Sequence, residues 1–333
     1  MKVHISFLCF CICVLACVST PAQTTADDYY KQASDLWKAE KDDDALKSLN
    51  RALELNPRMA VAYTFRGRIE FFKEHDDDAM ADFNKAIELD PKQSDAWGRR
   101  GIAKWFKKDK TGSLSDLNRS IKLGSTDPNV FFRRGLIDTD DLHDQKQAIK
   151  DFAVAKKLDP KDAMAFYNSG IAYERLNDYH SAIVEFNRQI ELAPADASGW
   201  NERGHAENEL GMADAAIRDL KKATELDPKS DRYWNGLAWG YHLNGDHDNT
   251  LKYVAKALEI NPKNADALET RANGLAGKGR YDEALADWAE AMKLNTTDPE
   301  YYKNRAAAYR AMKKLDLAKA DEATYHRLMK SKK

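Results

Sequence analysis

One short phrase recurs along the sequence at a spacing of 34 residues. Versions of it, such as ALKSLNRALELNP and AMADFNKAIELDP, end at Pro57, Pro91, Pro160, Pro194, Pro228 and Pro262. The gap from Pro91 to Pro160 is 69 residues, which is two periods plus one residue. It predicts one copy without its proline and one inserted residue within 137–147. A fixed period of this length is typical of repeat folds, in which each copy is one supersecondary unit.

Each repeated phrase has the apolar spacing of a helix. In AIVEFNRQIELAP, Ala182, Phe186 and Ile190 are four residues apart and form one stripe. A second helical phrase lies upstream of each, such as FYNSGIAY at 166–173, where a small residue follows a large one by four positions. Two helices can approach closely at such a small residue. Because one helical hairpin cannot bury its own stripe, the sequence predicts an all-α fold in which neighbouring hairpins stack as an α-solenoid.

These phrases resemble the tetratricopeptide repeat, whose pattern is Trp, two residues, Leu-Gly, two residues, Tyr, then Ala, three residues, Phe, and a final Pro. One copy matches at Trp234, Leu237, Ala238 and Tyr241, and another at Phe166, Gly170, Tyr173, Ala182, Phe186 and Pro194. The resemblance implies a superhelix of about nine hairpins over 26–333. Its repeats are expected near 26–59, 60–93, 94–127, 128–162, 163–196, 197–230, 231–264, 265–298 and 299–333.

The amino-terminal segment predicts export. All four cysteines lie in the apolar run ISFLCFCICVLACV, after a basic residue and before the polar stretch STPAQTT. This is the pattern of a cleaved signal peptide, here 1–22, and the run is short for a membrane span. A buried amino-terminal helix is the alternative. The residues before Cys17 loosely resemble a lipoprotein cleavage box, so Cys17 is the candidate for lipidation. The expected location is periplasmic or secreted, with a lipid anchor as a variant.

The charge of the chain restricts its partners. The formal net charge is −2, which argues against a general nucleic-acid-binding protein. Ten Lys and Arg residues face only three acidic residues between Lys303 and Lys333. This basic end predicts either contact with an anionic membrane surface or a solvated helix end, where positive charge is favoured by the helix dipole. The sequence predicts no nucleic-acid partner and no membrane span.

Two acidic clusters, Asp42–Asp44 and Asp76–Asp78, occupy the same place in two repeats. They are expected in the first turn of the second helix, where free N–H groups and the helix dipole favour Asp. Three consecutive helical residues point about 100° apart and cannot converge on one ion. His242 and His247, with acidic neighbours, form a weak metal pattern for which a solvated turn is the alternative. The sequence predicts no metal site and no cofactor.

The resemblance implies that the first helices of the hairpins line a concave, ligand-binding face. One aromatic column matches the family's core position and is expected to pack: Tyr29, Tyr63, Trp97, Phe131, Phe166, Trp200, Trp234 and Tyr302. A second column, Trp37, Phe71 and Trp105, matches a concave position and either anchors a ligand or fills a tight turn. The predicted ligand groove consists of Tyr30, Trp37, Arg68, Phe71, Arg99, Trp105, Phe132, Arg133, Tyr167, Asn168, Asn201, His205, Asn235 and Trp239.

The predicted function is an exported scaffold that binds extended segments of partner proteins in this groove. The family's carboxylate clamp and its asparagine ladder both lack the required residue series here. The alternative is a cell-envelope glycan-binding protein in which Trp37, Phe71 and Trp105 stack on sugar rings. An enzyme is the least favoured class, because the sequence has no phosphate loop, nucleophile elbow or dinucleotide motif.

Overall fold

The computed structural model describes residues 24–140, 143–295 and 298–331. It contains eighteen α-helices and no strand in these residues, which confirms the predicted all-α fold. The predicted signal segment 1–22, with Cys17, lies outside them. The helices are α1 (Ala26–Lys38), α2 (Asp42–Leu55), α3 (Ala60–Phe72), α4 (Asp76–Leu89), α5 (Ser94–Phe106), α6 (Lys110–Lys122), α7 (Pro128–Asp140), α8 (Gln145–Leu158), α9 (Ala163–Arg175), α10 (Tyr179–Leu192), α11 (Ala197–Glu209), α12 (Ala213–Leu226), α13 (Asp231–Leu243), α14 (His247–Ile260), α15 (Ala265–Gly277), α16 (Tyr281–Leu294), α17 (Pro299–Ala311) and α18 (Leu315–Ser331).

The chain divides into two compact units, with the boundary between Ala103 and Lys104 inside α5. In the first unit, α1 packs on α2, α2 on α3, and α3 on α4. In the second unit each hairpin packs on the next, and the first helices α7, α9, α11, α13, α15 and α17 also contact one another in sequence. Hairpins that contact their chain neighbours in this way form a solenoid.

The turn inside each hairpin places one residue in the left-handed region. Three residues separate the two helices of each hairpin, except that four residues separate α7 from α8, so the extra residue falls within the predicted range 137–147. The left-handed residue is Gly211, Gly245 or Gly279 in three hairpins, and elsewhere Glu40, Glu74, Lys108, His143, Asn177 or Lys313. Glycine adopts this conformation without the steric cost that other residues meet. The backbone is therefore locally strained in the six turns with a non-glycine residue at this position, and unstrained in the three with glycine.

The two helices of a hairpin approach most closely at the small residue of the first helix. A Cβ at Gly170 would lie 2.4 Å from Phe186 Cε1, and one at Gly67 would lie 2.9 Å from the ring of Phe83. Where the small residue is Ala33, the facing residue is Leu49, and both are fully buried. The missing Cβ thus provides the space that an aromatic ring on the second helix occupies.

Arginine–aspartate pairs tie the first helix of several hairpins to the second. Arg66 donates two hydrogen bonds of 2.7 Å to Asp82, and a third, of 2.6 Å, to Asn50 of the preceding hairpin. The same two-oxygen pairing occurs in Arg134–Asp151, Arg203–Asp219, Arg271–Asp287 and Arg305–Asp321. Such bidentate contacts fix the relative orientation of the helices they join.

One hairpin replaces this pair with a contact from its neighbour. Ser169 stands where six other hairpins have arginine. Lys156 of the preceding hairpin donates to Ser169 at 3.0 Å and to Glu185 at 2.6 Å. The side chains of Lys156 and Glu185 are only 14% and 15% exposed. The charge of Glu185 is therefore neutralised by a lysine of the preceding hairpin.

The third hairpin, which lacks the closing proline, ends its second helix differently. Gly124 has a φ of +87°, and its N–H donates to Ile121 O at 2.9 Å, while Ser125 N–H donates to Ser120 O at 3.1 Å. This is a Schellman ending, in which a left-handed glycine satisfies the last carbonyls of the helix. Six of the other repeats instead have a proline after this helix.

The column expected to match the family's core aromatic lies at the margin of the core. Only Phe131 of that column is buried, and the other members are half-buried. The indole N–H groups of Trp97, Trp200 and Trp234 donate to the carbonyl of the proline six residues earlier, at 2.9 to 3.1 Å. In α17 the fully buried ring is Tyr301, whereas the predicted Tyr302 is half-buried.

Candidate functional site

The predicted groove residues all lie on first helices. Tyr30 and Trp37 are on α1, Arg68 and Phe71 on α3, Arg99 and Trp105 on α5, Phe132 and Arg133 on α7, Tyr167 and Asn168 on α9, Asn201 and His205 on α11, and Asn235 and Trp239 on α13. The structure gathers most of them into three groups, one in the first unit and two in the second.

In the first unit, Trp37 is the centre of an aromatic group. The guanidinium carbon of Arg68 lies 4.2 Å from the centroid of the Trp37 ring. The rings of Phe65 and Phe72 lie 5.5 and 6.2 Å from Trp37, and Tyr30 lies 5.8 Å from Phe65. Trp37 packs against the core, whereas the neighbouring Phe72 is 62% exposed. We call these five residues the first aromatic group.

The first unit contains two further predicted groove residues, Phe71 and Arg99. Phe71 packs against the core cluster of Ala79, Phe83 and Ala103. Arg99 donates through Nε to Asp95 Oδ1 at 3.1 Å, four residues earlier on the same helix. The spacing of 34 residues between Trp37 and Phe71 therefore does not give them equal surroundings.

In the second unit, Arg133 lies among three aromatic rings. Its guanidinium carbon is 4.3 Å from the ring centroid of Trp105, 4.9 Å from that of Phe106 and 5.5 Å from that of Phe132. Burial lowers the pKa of Arg133, because the charged form loses solvation. Phe106 is 51% exposed, so part of this second aromatic group faces solvent.

Tyr167 and Asn168 on α9 are held by nearby protein groups. The hydroxyl of Tyr167 donates to Glu202 Oε1 at 3.3 Å, and burial raises the pKa of Tyr167. The side-chain amide of Asn168 donates to the carbonyl of Met164 at 2.9 Å, within its own helix. Tyr167 thus joins the polar network described next.

The remaining four predicted residues line one cavity of about 430 Å³ in the second unit. Asn201 and Asn208 form its buried part, while His205 and Arg232 are exposed at its edge. The full lining is Glu174, Asn201, Glu202, His205, Asn208, Leu220, Arg232, Asn235, Gly236, Trp239 and Asp266. We call this the polar cavity.

Two acid–base contacts organise the polar cavity. Glu202 accepts a hydrogen bond from Arg232, and burial raises the pKa of Glu202 although Arg232 opposes the change. His205 Nδ1 lies 3.2 Å from Glu174 Oε1, and this hydrogen bond raises the pKa of His205. Glu174, Glu202, Arg232 and Asp266 were not among the predicted groove residues. The sequence did contain a signal, because Glu202 holds the same repeat position as Arg99, Arg133 and Asn168.

The acidic triplets occupy the first turns of α2 and α4, as expected from the helix dipole. Neither helix has a side-chain hydrogen bond at its N-cap. One member, Asp78, lies near Glu70 and His75, and the three residues have candidate ligand atoms within 4.8 Å of one another. His75 Nδ1 is 2.7 Å from Glu70 Oε2. This cluster was not predicted from the sequence.

The second metal pattern does not bring its four residues to one point. The rings of His242 and His247 are 5.7 Å apart, and burial lowers the pKa of His242. Asp246 instead caps α14 by accepting from the N–H of Asn249, and Asp248 accepts from Lys278. The acidic residues thus serve the turn and the next hairpin.

Comparison with protein-family models identifies tetratricopeptide repeats in this chain. One model described as tetratricopeptide repeat matches residues 30–94 and 201–265, and a second matches 163–196. A search of curated proteins finds no match to the sequence. The presence of tetratricopeptide repeats, predicted from the sequence, is therefore confirmed in the matched residues.

Solved structures of repeat proteins share the fold. The APC/C hetero-tetramer Cut9–Hcn1 aligns with a TM-score of 0.56 at 15% identity, over 86% of this chain and 56% of that chain. Pseudomonas aeruginosa PilF aligns with a TM-score of 0.54 at 16% identity, over 64% of this chain and 96% of that one. MamA from Desulfovibrio magneticus RS-1 aligns at 22% identity over 52% and 97%, with a TM-score of 0.48. Among the helices of the described residues, none is long and apolar enough to cross a bilayer.

Proposed function

We propose that this tetratricopeptide-repeat chain is an exported scaffold that binds an extended segment of a partner protein on the first-helix surface of its hairpins. The observation that carries the proposal is the exposure of aromatic rings on that surface, beside stacked arginines. Phe72 is 62% exposed next to Trp37 and Arg68, and Phe106 is 51% exposed next to Arg133.

Aromatic and arginine side chains suit protein recognition for a physical reason. They offer large contact areas with few rotatable bonds, and they dominate the binding energy of many protein interfaces. In both aromatic groups the arginine is already stacked on a ring, at 4.2 Å for Arg68 and 4.3 Å for Arg133. A partner segment would therefore meet side chains whose positions are largely fixed before it binds.

The fold relatives support the same class of activity. Cut9 was solved in a hetero-tetramer with Hcn1. The likeness is one of fold, so the partner of Cut9 is no guide to the partner here. Proteins of this repeat family are generally scaffolds without catalysis, and we assign no catalytic role to any residue of this chain.

Export and anchoring rest on the sequence of residues 1–22. We expect cleavage after this segment, with lipidation at Cys17 as the competing outcome. Fractionating cells and determining the mature amino terminus by mass spectrometry distinguishes the two. Full-length protein that stays in the cytoplasm would contradict both.

Photocrosslinking tests the binding proposal. A photoreactive residue is placed at Phe72 or Phe106 in the native cell, and in a control at Val184, which is 65% exposed on the second helix α10. We expect one defined protein to be captured from the first two positions and not from Val184. Capture of a glycan, or of nothing, from Phe72 and Phe106 would contradict the proposal.

Binding of the purified chain to a synthetic segment of the captured protein then tests the aromatic groups. Replacing Phe72 or Arg68 with alanine should weaken binding at least tenfold, as expected for a residue near the centre of an interface. Val184→Ala, which removes a side chain of similar exposure from a second helix, should leave binding unchanged. Equal effects of Phe72→Ala and Val184→Ala would place the interface elsewhere.

A further inference from the structure

The polar cavity of the second unit has more hydrogen-bond acceptors than its own donors satisfy. It lies among α9, α11, α13 and α15, with Leu220 of α12 at its base. Three carboxylates line it: Glu174, Glu202 and Asp266. Its only positively chargeable lining residues are Arg232 and His205, which are already engaged with Glu202 and Glu174.

Three side-chain amides add to this excess of acceptors. The Oδ1 atoms of Asn201, Asn208 and Asn235 have no hydrogen-bond partner among the described residues. Asn201 and Asn208 are only 5% and 8% exposed. A buried polar atom without a partner is unfavourable, because it has lost its hydrogen bonds to water. A ligand that donates hydrogen bonds here would remove part of that cost.

Asn201 contacts Glu202 through one end of its side-chain amide. Its amide Nδ2 donates weakly to Glu202 Oε1 at 3.4 Å, which directs Oδ1 away from that carboxylate. A Cβ at Gly236, another lining residue, would lie 3.0 Å from Asn201 Oδ1. The glycine therefore leaves the oxygen side of this amide uncrowded.

We propose that the polar cavity binds a cationic side chain of the partner segment, with arginine favoured over lysine. This proposal rests on the proposed function, since it names the chemistry that the partner must present. A guanidinium carries five N–H donors and no acceptor, which matches a wall of amide and carboxylate oxygens. Trp239 provides an aromatic surface in the same wall, on which a cation can stack.

The first test uses a small probe in place of a partner. The full chain is titrated with N-acetyl-L-arginine methylamide, while the Trp239 indole and His205 ring signals are followed by NMR. We expect saturable shifts of both signals. N-acetyl-L-citrulline methylamide has a similar shape without the charge and should bind at least tenfold more weakly. Equal binding of the two probes, or no shift with either, would overturn the proposal.

Variants show whether the probe occupies this cavity. Asp266→Asn and Glu174→Gln each remove one negative charge and should weaken arginine binding about three- to tenfold. Asp95→Asn is the matched control, because Asp95 is the second residue of α5 as Asp266 is the second residue of α15. An equal effect of Asp95→Asn would overturn the assignment to the cavity.

A displayed library of random 12-residue peptides separates this proposal from the proposed function. Enrichment of peptides with a fixed Arg or Lys, which is lost on the Asp266→Asn/Glu174→Gln chain, supports both. Enrichment that is insensitive to this double variant overturns the cavity proposal and leaves peptide binding intact. Failure to enrich any peptide, while the arginine probe still binds, contradicts the proposed function and supports a cation site.

Discussion

Arg66 of α3 and Asp82 of α4 are joined by two hydrogen bonds of 2.7 Å, and Asp82 is only 6% exposed. Replacing Arg66 with alanine would leave a buried carboxylate without its partner. Because an uncompensated buried charge is strongly unfavourable, we expect a loss of about 3 kcal/mol in the free energy of unfolding. Urea denaturation followed by circular dichroism measures it.

The control for this prediction is Arg51→Ala. Arg51 pairs with Glu54 at 2.6 Å on the surface of α2, where both side chains are more than half exposed. Exposed pairs contribute about 0 to 1 kcal/mol, so this variant should be nearly neutral. Similar losses in the two variants would show that burial of Asp82 does not determine the effect.

Gly170 and Phe186 should behave as a coupled pair. Adding a Cβ at Gly170 brings it 2.4 Å from Phe186 Cε1, so Gly170→Ala should destabilise the chain by about 2 kcal/mol. Phe186→Leu should partly rescue it, because the first hairpin combines Ala33 with Leu49. A double-mutant cycle should give a coupling of at least about 1 kcal/mol. Additive effects would argue against this steric contact.

Substitutions at two left-handed turn residues, Glu74→Gly and Gly245→Ala, should change the stability of the chain in opposite directions. Glu74 has a φ of +63°, so Glu74→Gly should stabilise the chain by about 1 kcal/mol. Gly245 has a φ of +74°, and a Cβ there would meet nothing within 4 Å. Gly245→Ala should therefore destabilise by about 1 kcal/mol through backbone strain alone. Thermal unfolding of both variants checks this, and shifts of the same sign would contradict it.

Glu269 of α15 should make stability depend on pH. Burial is the main cause that raises the pKa of Glu269 from 4.5 to about 7, and the negative charge of Asp298 is the second. A hydrogen bond donated by Asn304 opposes this change. The folded state therefore holds this proton more tightly than the unfolded state. The contribution of Glu269 is fully favourable below about pH 4.5 and is lost as the pH rises through 7.

Glu269→Gln should accordingly raise the free energy of unfolding at pH 8, by about 2 kcal/mol, with much less change at pH 4.5. Urea denaturation at the two pH values measures the difference. Glu259→Gln, the same substitution on the exposed face of α14, is the control. An equal gain at both pH values would contradict the assigned cause.

The repeat period carried enough information to predict the fold. A hairpin unit is specified by local spacing, as at Gly170 and Phe186, and stacking follows because each unit has an apolar stripe to bury. The inserted residue was also predictable, because the gap from Pro91 to Pro160 exceeds two periods by one residue. The structure has four residues between α7 and α8 where the other hairpins have three. These features depend on residues that are close in the chain or related by one period.

The surroundings of individual groove residues were less predictable. Trp37 and Phe71 occupy the same position in successive repeats. Arg68 stacks on the ring of Trp37, whereas Phe71 packs against the core cluster that contains Phe83. The polar cavity draws Glu174, Asn201 and Asp266 from three hairpins, so its composition depends on packing between repeats. Periodicity places each side chain on a helix face but does not determine which neighbour it meets.

The pair formed by Lys156 and Glu185 limits how this array could have been copied during evolution. A duplicated or transplanted hairpin that contained Glu185 without α8 would carry a carboxylate with no base beside it. Hairpins closed by their own arginine and aspartate, such as the one with Arg271 and Asp287, bear no such dependence. Recombination that breaks the array after α8 separates Lys156 from Glu185, so it is expected to destabilise the products more than a break after α14.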